Sequence, residues 1–298
     1  MDSTHARSLA LVFAAGVLWS TVGLGIRLIQ EADVWQILLY RSMSLMIFLY
    51  IVIRIRSSDP PLAQVRRAGL PGVIAALSLV VAYAGGIYAI QATSVANALL
   101  LFAAAPFFAA VLGWCILGER VLMGTWIAIS FAILGIGIMV GGQSFGGSLG
   151  GSLAALGSAL GFAAFTVTLR WGKNVEMLPS VFLSGIFGVV ITAAICISVD
   201  LPLAISARDS GISIGMGVFQ VGAGLVLYTL GSRSLPAVEL TLLSLAEVLL
   251  APVWVWLFLG ETATSHTLAG GCILLGAIAG NAIFSAQAKS PSTVRGSR

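Results

Sequence analysis

The sequence predicts an all-α membrane protein of ten transmembrane helices, built as two inverted five-helix repeats. Three observations lead there. Hydrophobic residues make up 59% of the 298 and charged residues only 9%, a balance foreign to a water-soluble globule. Ten stretches are nearly free of charge, each about twenty residues long, the length at which a helix crosses the roughly 30 Å hydrocarbon layer. Short motifs also recur between the two halves at one offset, 142 residues.

Hydropathy places the segments near 8–28, 34–53, 70–90, 96–117, 122–140, 150–170, 178–199, 211–231, 237–259 and 266–286. Segment 1 follows His5 and Arg7 and is too long for the core of a signal peptide. Segment 2 carries Arg41, and the connection 54–69 separates it from segment 3. Segment 4 contains Pro106 and ends at Leu117-Gly118-Glu119. Segment 5 carries Gly137 and Gly141 four apart, and segment 6 carries Gly157 and Gly161. Segments 7 and 8 flank the connection 200–210, and Gln220 lies in segment 8. Segment 9 contains Glu247 and Pro252 and ends at Leu259-Gly260-Glu261; segment 10 carries Gly276 and Gly280. A polar tail follows Gln287. The connections are too short for an extramembrane domain.

Composition excludes several functions. Cys115, Cys196 and Cys272 all fall inside apolar segments, too scattered for a disulfide framework or a metal site. Lys173 and Lys289 lie outside the apolar core, which excludes an intramembrane Schiff base, and His5 and His266 sit at segment ends. No cofactor is expected. The net charge of +4 is spread by topology and gathers no nucleic-acid face. No glycine run ends in Gly-Lys-Ser/Thr, so ATP is not the fuel. No catalytic constellation appears. The expected partners are a small-molecule substrate and the lipid bilayer; monomer and homodimer both remain open.

Charge sets the orientation. With the N-terminus in the cytoplasm, twelve basic residues fall on that side and only Arg27 and Arg208 on the other, with Arg41 inside segment 2. Basic loops resist translocation, so both termini are expected in the cytoplasm. Leu117-Gly118-Glu119 and Leu259-Gly260-Glu261 share the offset of 142, as do Leu100-Leu101 with Leu242-Leu243 and Ile136 with Ile278. The repeats are expected at 1–145 and 146–298. Five crossings per repeat make the second enter from the opposite face. Such inverted repeats belong to carriers that alternate access around a midplane site.

Glu247 is about 15 Å into segment 9 at 1.5 Å per residue, near the midplane. An ionisable group there faces an interior or a cavity. It fits a substrate-ammonium contact, a protonation site, or a protonated carboxyl bonded between helices. Arg41 either snorkels to the interface or binds a substrate carboxylate with its planar fork. Glu119 and Glu261 read as caps on the helices that follow them. Arg27 reads as interfacial. Trp19, Tyr83, Phe102 and Phe162 lie deep, and Ser20, Asn97, Gln220 and Ser244 offer hydrogen bonds; Asn97 reads as a cap for segment 4. Pro106 and Pro252 are candidate hinges, four residues out of register and so not equivalent. The glycine pairs permit close packing, within the chain or in a dimer.

Leu18-Trp19-Ser20, Tyr40-Arg41, Ala98-Leu99-Leu100 with Pro106, both Leu-Gly-Glu motifs, Gly135, Gly137 and Glu247 together resemble the drug/metabolite transporter superfamily, ten-helix type with two EamA repeats. The resemblance covers about 8–286. Val248 stands where the family often has proline. It implies export of small metabolites across a bacterial inner membrane, and the tryptophan content is most similar to the aromatic amino-acid exporters. It also implies a cavity lined by Trp19, Tyr83, Phe102, Phe162, Gln220, Ser244 and Glu247. The expected solutes are large neutral or aromatic amino acids. The alternatives are cationic or amphipathic drugs, a nucleotide sugar, or a membrane enzyme.

Overall fold

The computed structural model describes residues 3–141, 148–172, 177–231, 235 and 237–289. Lys173, Arg233, Arg295 and Arg298 lie outside them, as do the side chains of Ser244 and Lys289. No strand occurs among the described residues. The helices are α1 (His5–Leu28), α2 (Val34–Arg56), α3 (Pro61–Ala92), α4 (Val95–Leu117), α5 (Met123–Gly141), α6 (Leu149–Trp171), α7 (Met177–Ser198), α8 (Ala207–Gly231), α9 (Ala237–Leu259) and α10 (Ser265–Lys289). The first eight and α10 are long and apolar enough to cross a membrane, and α9 is 23 residues long. The chain is a multi-pass membrane protein. We call the side where α1 begins the near face and the other the far face.

Local chemistry sets the ends. Asp33 opens α2 with a capping box closed by Gln36, and Ser94 opens α4 by accepting from the Asn97 N–H at 3.2 Å. The Asn97 side chain is therefore not the cap; it donates to Ser152 Oγ at 2.9 Å, joining α4 to α6. Gly118 and Gly260 stand just past α4 and α9 with φ of +67° and +69°, a region open to glycine and costly for other residues. This explains the Leu-Gly-Glu motif: glycine ends the helix and turns the glutamate back across the bundle.

Four helices are interrupted where hydropathy predicts continuous spans. α1 breaks at Thr21, where the Ser20 and Thr21 hydroxyls donate to the carbonyls of Val17 and Leu18. α3 kinks at Gly69, φ +57°, just before Pro71. α4 breaks at Ala103–Ala104 and restarts with Pro106 in its first turn, where a missing N–H costs nothing. α8 contains a wide π-helical stretch, Met216–Ala223. Pro252, by contrast, lies inside an unbroken α9. The two prolines are inequivalent, as their register predicts.

Helix packing runs mainly between the halves. α3 packs on α6 and α7, α4 on α6, α2 on α7, and α5 on α10; α8 packs on α1 and α2, and α9 on α1. Exchanging each helix for the one five places on maps this set onto itself. That is the contact pattern of a two-fold repeat, and five crossings per half make it an inverted one.

Of the paired glycines only Gly161 takes part in this packing. A Cβ at Gly137, Gly141, Gly157, Gly276 or Gly280 would meet nothing within 4 Å. α5 and α10 approach instead through Gly135 and Gly270, each against the other's carbonyl oxygen. Gly161 meets the backbone of Ser78 and Ala82 on α3.

Candidate substrate site between the repeats

Arg41 is the one arginine among the buried described residues, only 5% exposed. It does not reach for the interface. Its guanidinium carbon lies 4.6 Å from the centroid of the Tyr83 ring on α3. No described residue accepts a hydrogen bond from its side chain, and Nε is sealed off without a partner. A desolvated guanidinium over an aromatic face gains on the order of 2 kcal/mol, well short of the several kcal/mol that burying an ion costs. The π-helical stretch of α8 presses on the same place. Gly217 abuts the Arg41 carbonyl and Ser44 Oγ so closely that no side chain fits. Three residues on, Gln220 is 7% exposed and its Oε1 has no partner.

A second group forms where α1, α8 and α9 meet. Trp19 and Tyr228 meet at a tilt of 40° with centroids 5.4 Å apart. Gly16 lets α9 approach α1 at Leu243, Ala246 and Glu247. Two turns along the same face of α9, Trp254 Nε1 donates to Ser20 Oγ at 2.8 Å. Glu247 lies between these contacts, half-buried, with no partner among the described residues. A third group joins α4 to α6: Phe102 and Phe162 are 5.6 Å apart and Phe162 and Phe165 5.9 Å. Trp19, Tyr83 and Phe165 all border one apolar cluster with Leu45, Leu79, Val221 and Leu225. The candidate residues thus come together in three groups around shared packing. Ser244 sits on α9 a turn before Glu247, its side chain outside the described residues. Two described cavities lie elsewhere: about 310 Å³ beside Pro252, Trp256 and Glu261, and about 580 Å³ between α5 and α10.

The far face is tied shut across the repeats. Glu261 accepts from Arg27 Nε at 2.8 Å and from the Val95 N–H at 2.7 Å, while Arg27 Nη2 donates to the Thr93 carbonyl at 2.7 Å. Asp209 accepts three backbone N–H groups, from Gln30, Glu31 and Ala32. Gln36 and Tyr40 donate to the carbonyls of Pro202 and Leu203. On the near face Arg170 pairs with Glu119 at 2.7 Å and donates to the Ala109 carbonyl. Glu261 therefore caps α4, not α10, and Glu119 pairs with α6 rather than capping α5. Arg27, at the end of α1 on the far face, serves as a clamp residue there. A signal for this exists in the sequence: Arg27 and Arg170 both end the first helix of a repeat, in nearly the register of the two glutamates. Among the described residues no three His, Cys, Asp or Glu side chains gather as a metal site.

The sequence profile of the EamA-like transporter family matches residues 6–141 and again 149–283. No curated protein matches. One solved structure, described only as a crystal structure of a protein, superposes with a TM-score of 0.67. The match covers 94% of this chain and 98% of the other at 15% identity, a likeness of fold.

Proposed function

Since the chain belongs to the EamA-like transporter family, we propose that it exports large neutral or aromatic amino acids by alternating access between its two repeats. The observation that carries this reading is the set of aromatic groups facing one another between the repeats. Trp19, which pairs with Tyr228, and Tyr83 border packing shared with α2, α6 and α8, and the Phe102–Phe162 pair reaches it through Phe165. Large ring faces give an apolar solute affinity at small entropic cost. Gln220, Ser244 and Glu247 supply polar contacts, with Glu247 opposite the ammonium. Pro106, beside the break in α4, and Pro252 act as hinges. The basic bias supports cytoplasmic termini, and the family resemblance supports a bacterial inner membrane.

The test is uptake by purified protein in liposomes over a panel of amino acids, lipophilic cations and nucleotide sugars, with and without an imposed pH gradient. Saturable movement of tryptophan, phenylalanine or leucine is expected. Turnover of a solute without net movement would replace the carrier reading with an enzyme. One observation favours a second reading: Glu247 has no partner among the described residues, and its backbone meets α1 at Gly16, one turn before Trp19, a setting that suits a lipophilic cation. A preference for such cations in the panel selects it.

A further inference from the structure

We propose that Arg41 binds the carboxylate of the transported solute, which makes this chain a carrier of monocarboxylates, amino acids included. The inference rests on the transport reading and names its substrate class.

The protein supplies no counter-ion for this charge among the described residues. Asp209 is taken up by three backbone N–H groups, Glu261 by Arg27 and Val95, and Glu119 by Arg170. Glu247 approaches α1 rather than α2. Arg41 is left with the Tyr83 ring alone. A guanidinium keeps its proton in proteins, so the charge cannot be relieved by neutralisation. A buried ion without a partner costs several kcal/mol, a cost that an arriving anion would offset.

The geometry selects the visitor. The guanidinium sits over the Tyr83 ring, and its planar fork matches a carboxylate through two parallel hydrogen bonds. Gln220 adds a second unpartnered polar group on the adjoining wide turn of α8. Such π-helical insertions occur often at functional sites. Phosphate dianions and nucleotide diphosphates need at least two cations. The described residues bury one arginine, and Arg27, at the far face, is already paired. One fixed positive charge therefore fits a singly charged anion.

The experiment compares each amino acid with its decarboxylated analogue: tryptophan with tryptamine, phenylalanine with phenethylamine, leucine with isopentylamine. Indole-3-propionate, which lacks the ammonium, and chloride alone complete the panel. Thermal stabilisation of the purified protein reports binding, and liposome flux is read in parallel. In the unaltered protein at least one carboxylate-bearing member should bind about tenfold or more tighter than its analogue, because a site built around a polar contact rejects solutes that lack it. Arg41→Gln should erase that gap. Arg41→Lys, which keeps the charge and loses the fork, should retain part of it. Equal binding by both members of every pair overturns the proposal, as does a gap that survives in folded Arg41→Gln. Chloride stabilising the protein as well as the carboxylates do would mark a structural halide site and overturn it too. If Arg41→Gln does not fold, the panel on the unaltered protein decides alone. Carboxylate-dependent binding without flux of any solute would sink the transport reading and leave the anion site standing. Equal flux of tryptamine and tryptophan would do the reverse.

Discussion

Removing the charge of Glu261 should open the far face. The carboxylate bridges Arg27 on α1 and the first N–H of α4, so three elements from both repeats meet at two oxygens. Hydrogen bonds to a charged group contribute about 1.5–3 kcal/mol each. The Arg27 and Glu261 side chains keep 26% and 24% exposure, which screens part of that. Glu261→Gln retains an acceptor for the Val95 N–H and loses the ionic half. The loss is then about 1–3 kcal/mol, or roughly 5- to 150-fold in the equilibrium between closed and open far face. The near-face pair gives an internal comparison. Arg170 and Glu119 are 43% and 41% exposed, and surface pairs contribute about 1 kcal/mol at most, so Glu119→Gln should change access by no more than about fivefold.

Val95 reports the outcome, being 1% exposed beneath the clamp. In a background with Cys115, Cys196 and Cys272 replaced by serine, Val95→Cys should react slowly with a membrane-impermeant maleimide applied to the far face. Adding Glu261→Gln should speed labelling by the factor above, and adding Glu119→Gln should not. An unchanged rate with Glu261→Gln in folded protein refutes the reasoning, and so does an equal rise with Glu119→Gln.

Trp19→Ala and Tyr83→Ala should change the order of preferred solutes in the liposome panel more than the yield of folded protein; equal loss of folded protein in both would reject a ligand role. Glu247→Gln should abolish the response of uptake to an imposed pH gradient, and identical pH dependence would assign Glu247 to helix packing. Gly135→Ala should destabilise by about 1–3 kcal/mol, because the new Cβ meets the Gly270 carbonyl oxygen at 2.6 Å. Gly137→Ala should be neutral or stabilising by up to about 1 kcal/mol, since nothing stands within 4 Å. Thermal melting in detergent checks both; a larger loss at Gly137 would reverse the packing assignment.

Hydropathy locates the ten helices because the bilayer imposes one length and one composition on every span. It does not see the breaks at Thr21 and Ala103–Ala104 or the wide turn in α8. These depend on which neighbour donates to an orphaned carbonyl, and a twenty-residue average does not contain that. The glycine pairs are incomplete signals for a related reason: spacing shows that two glycines share a face, not which helix that face meets. Gly135 and Gly270 touch, while Gly276 and Gly280 line an open groove. Glu119 and Glu261 read as caps on the next helix because sequence offers only neighbours in the chain. The partner of Glu261 is 234 residues away. Arg41 is legible as an oddity, but only the position of Tyr83 on another helix separates snorkelling from burial.

The repeat also sorts the charges by purpose. Arg27 with Glu261 has a counterpart in Arg170 with Glu119, one pair on each face, as the exchange of α1 and α9 for α6 and α4 requires. A device that works alternately at two faces has to exist twice. Arg41 and Glu247 exist once: at the offset of 142, Leu183 stands opposite Arg41 and Ala105 opposite Glu247. A solute occupies the site once and has no two-fold symmetry, so groups that meet it have no reason to be duplicated. Charges kept in both repeats therefore belong to the moving frame. On the proposed reading, the two unpaired charges, each kept in one repeat, meet the passenger. Placing an arginine at Leu183 should then add no second carboxylate site. Binding stoichiometry measured on Leu183→Arg tests this, and two carboxylates bound per chain would contradict it.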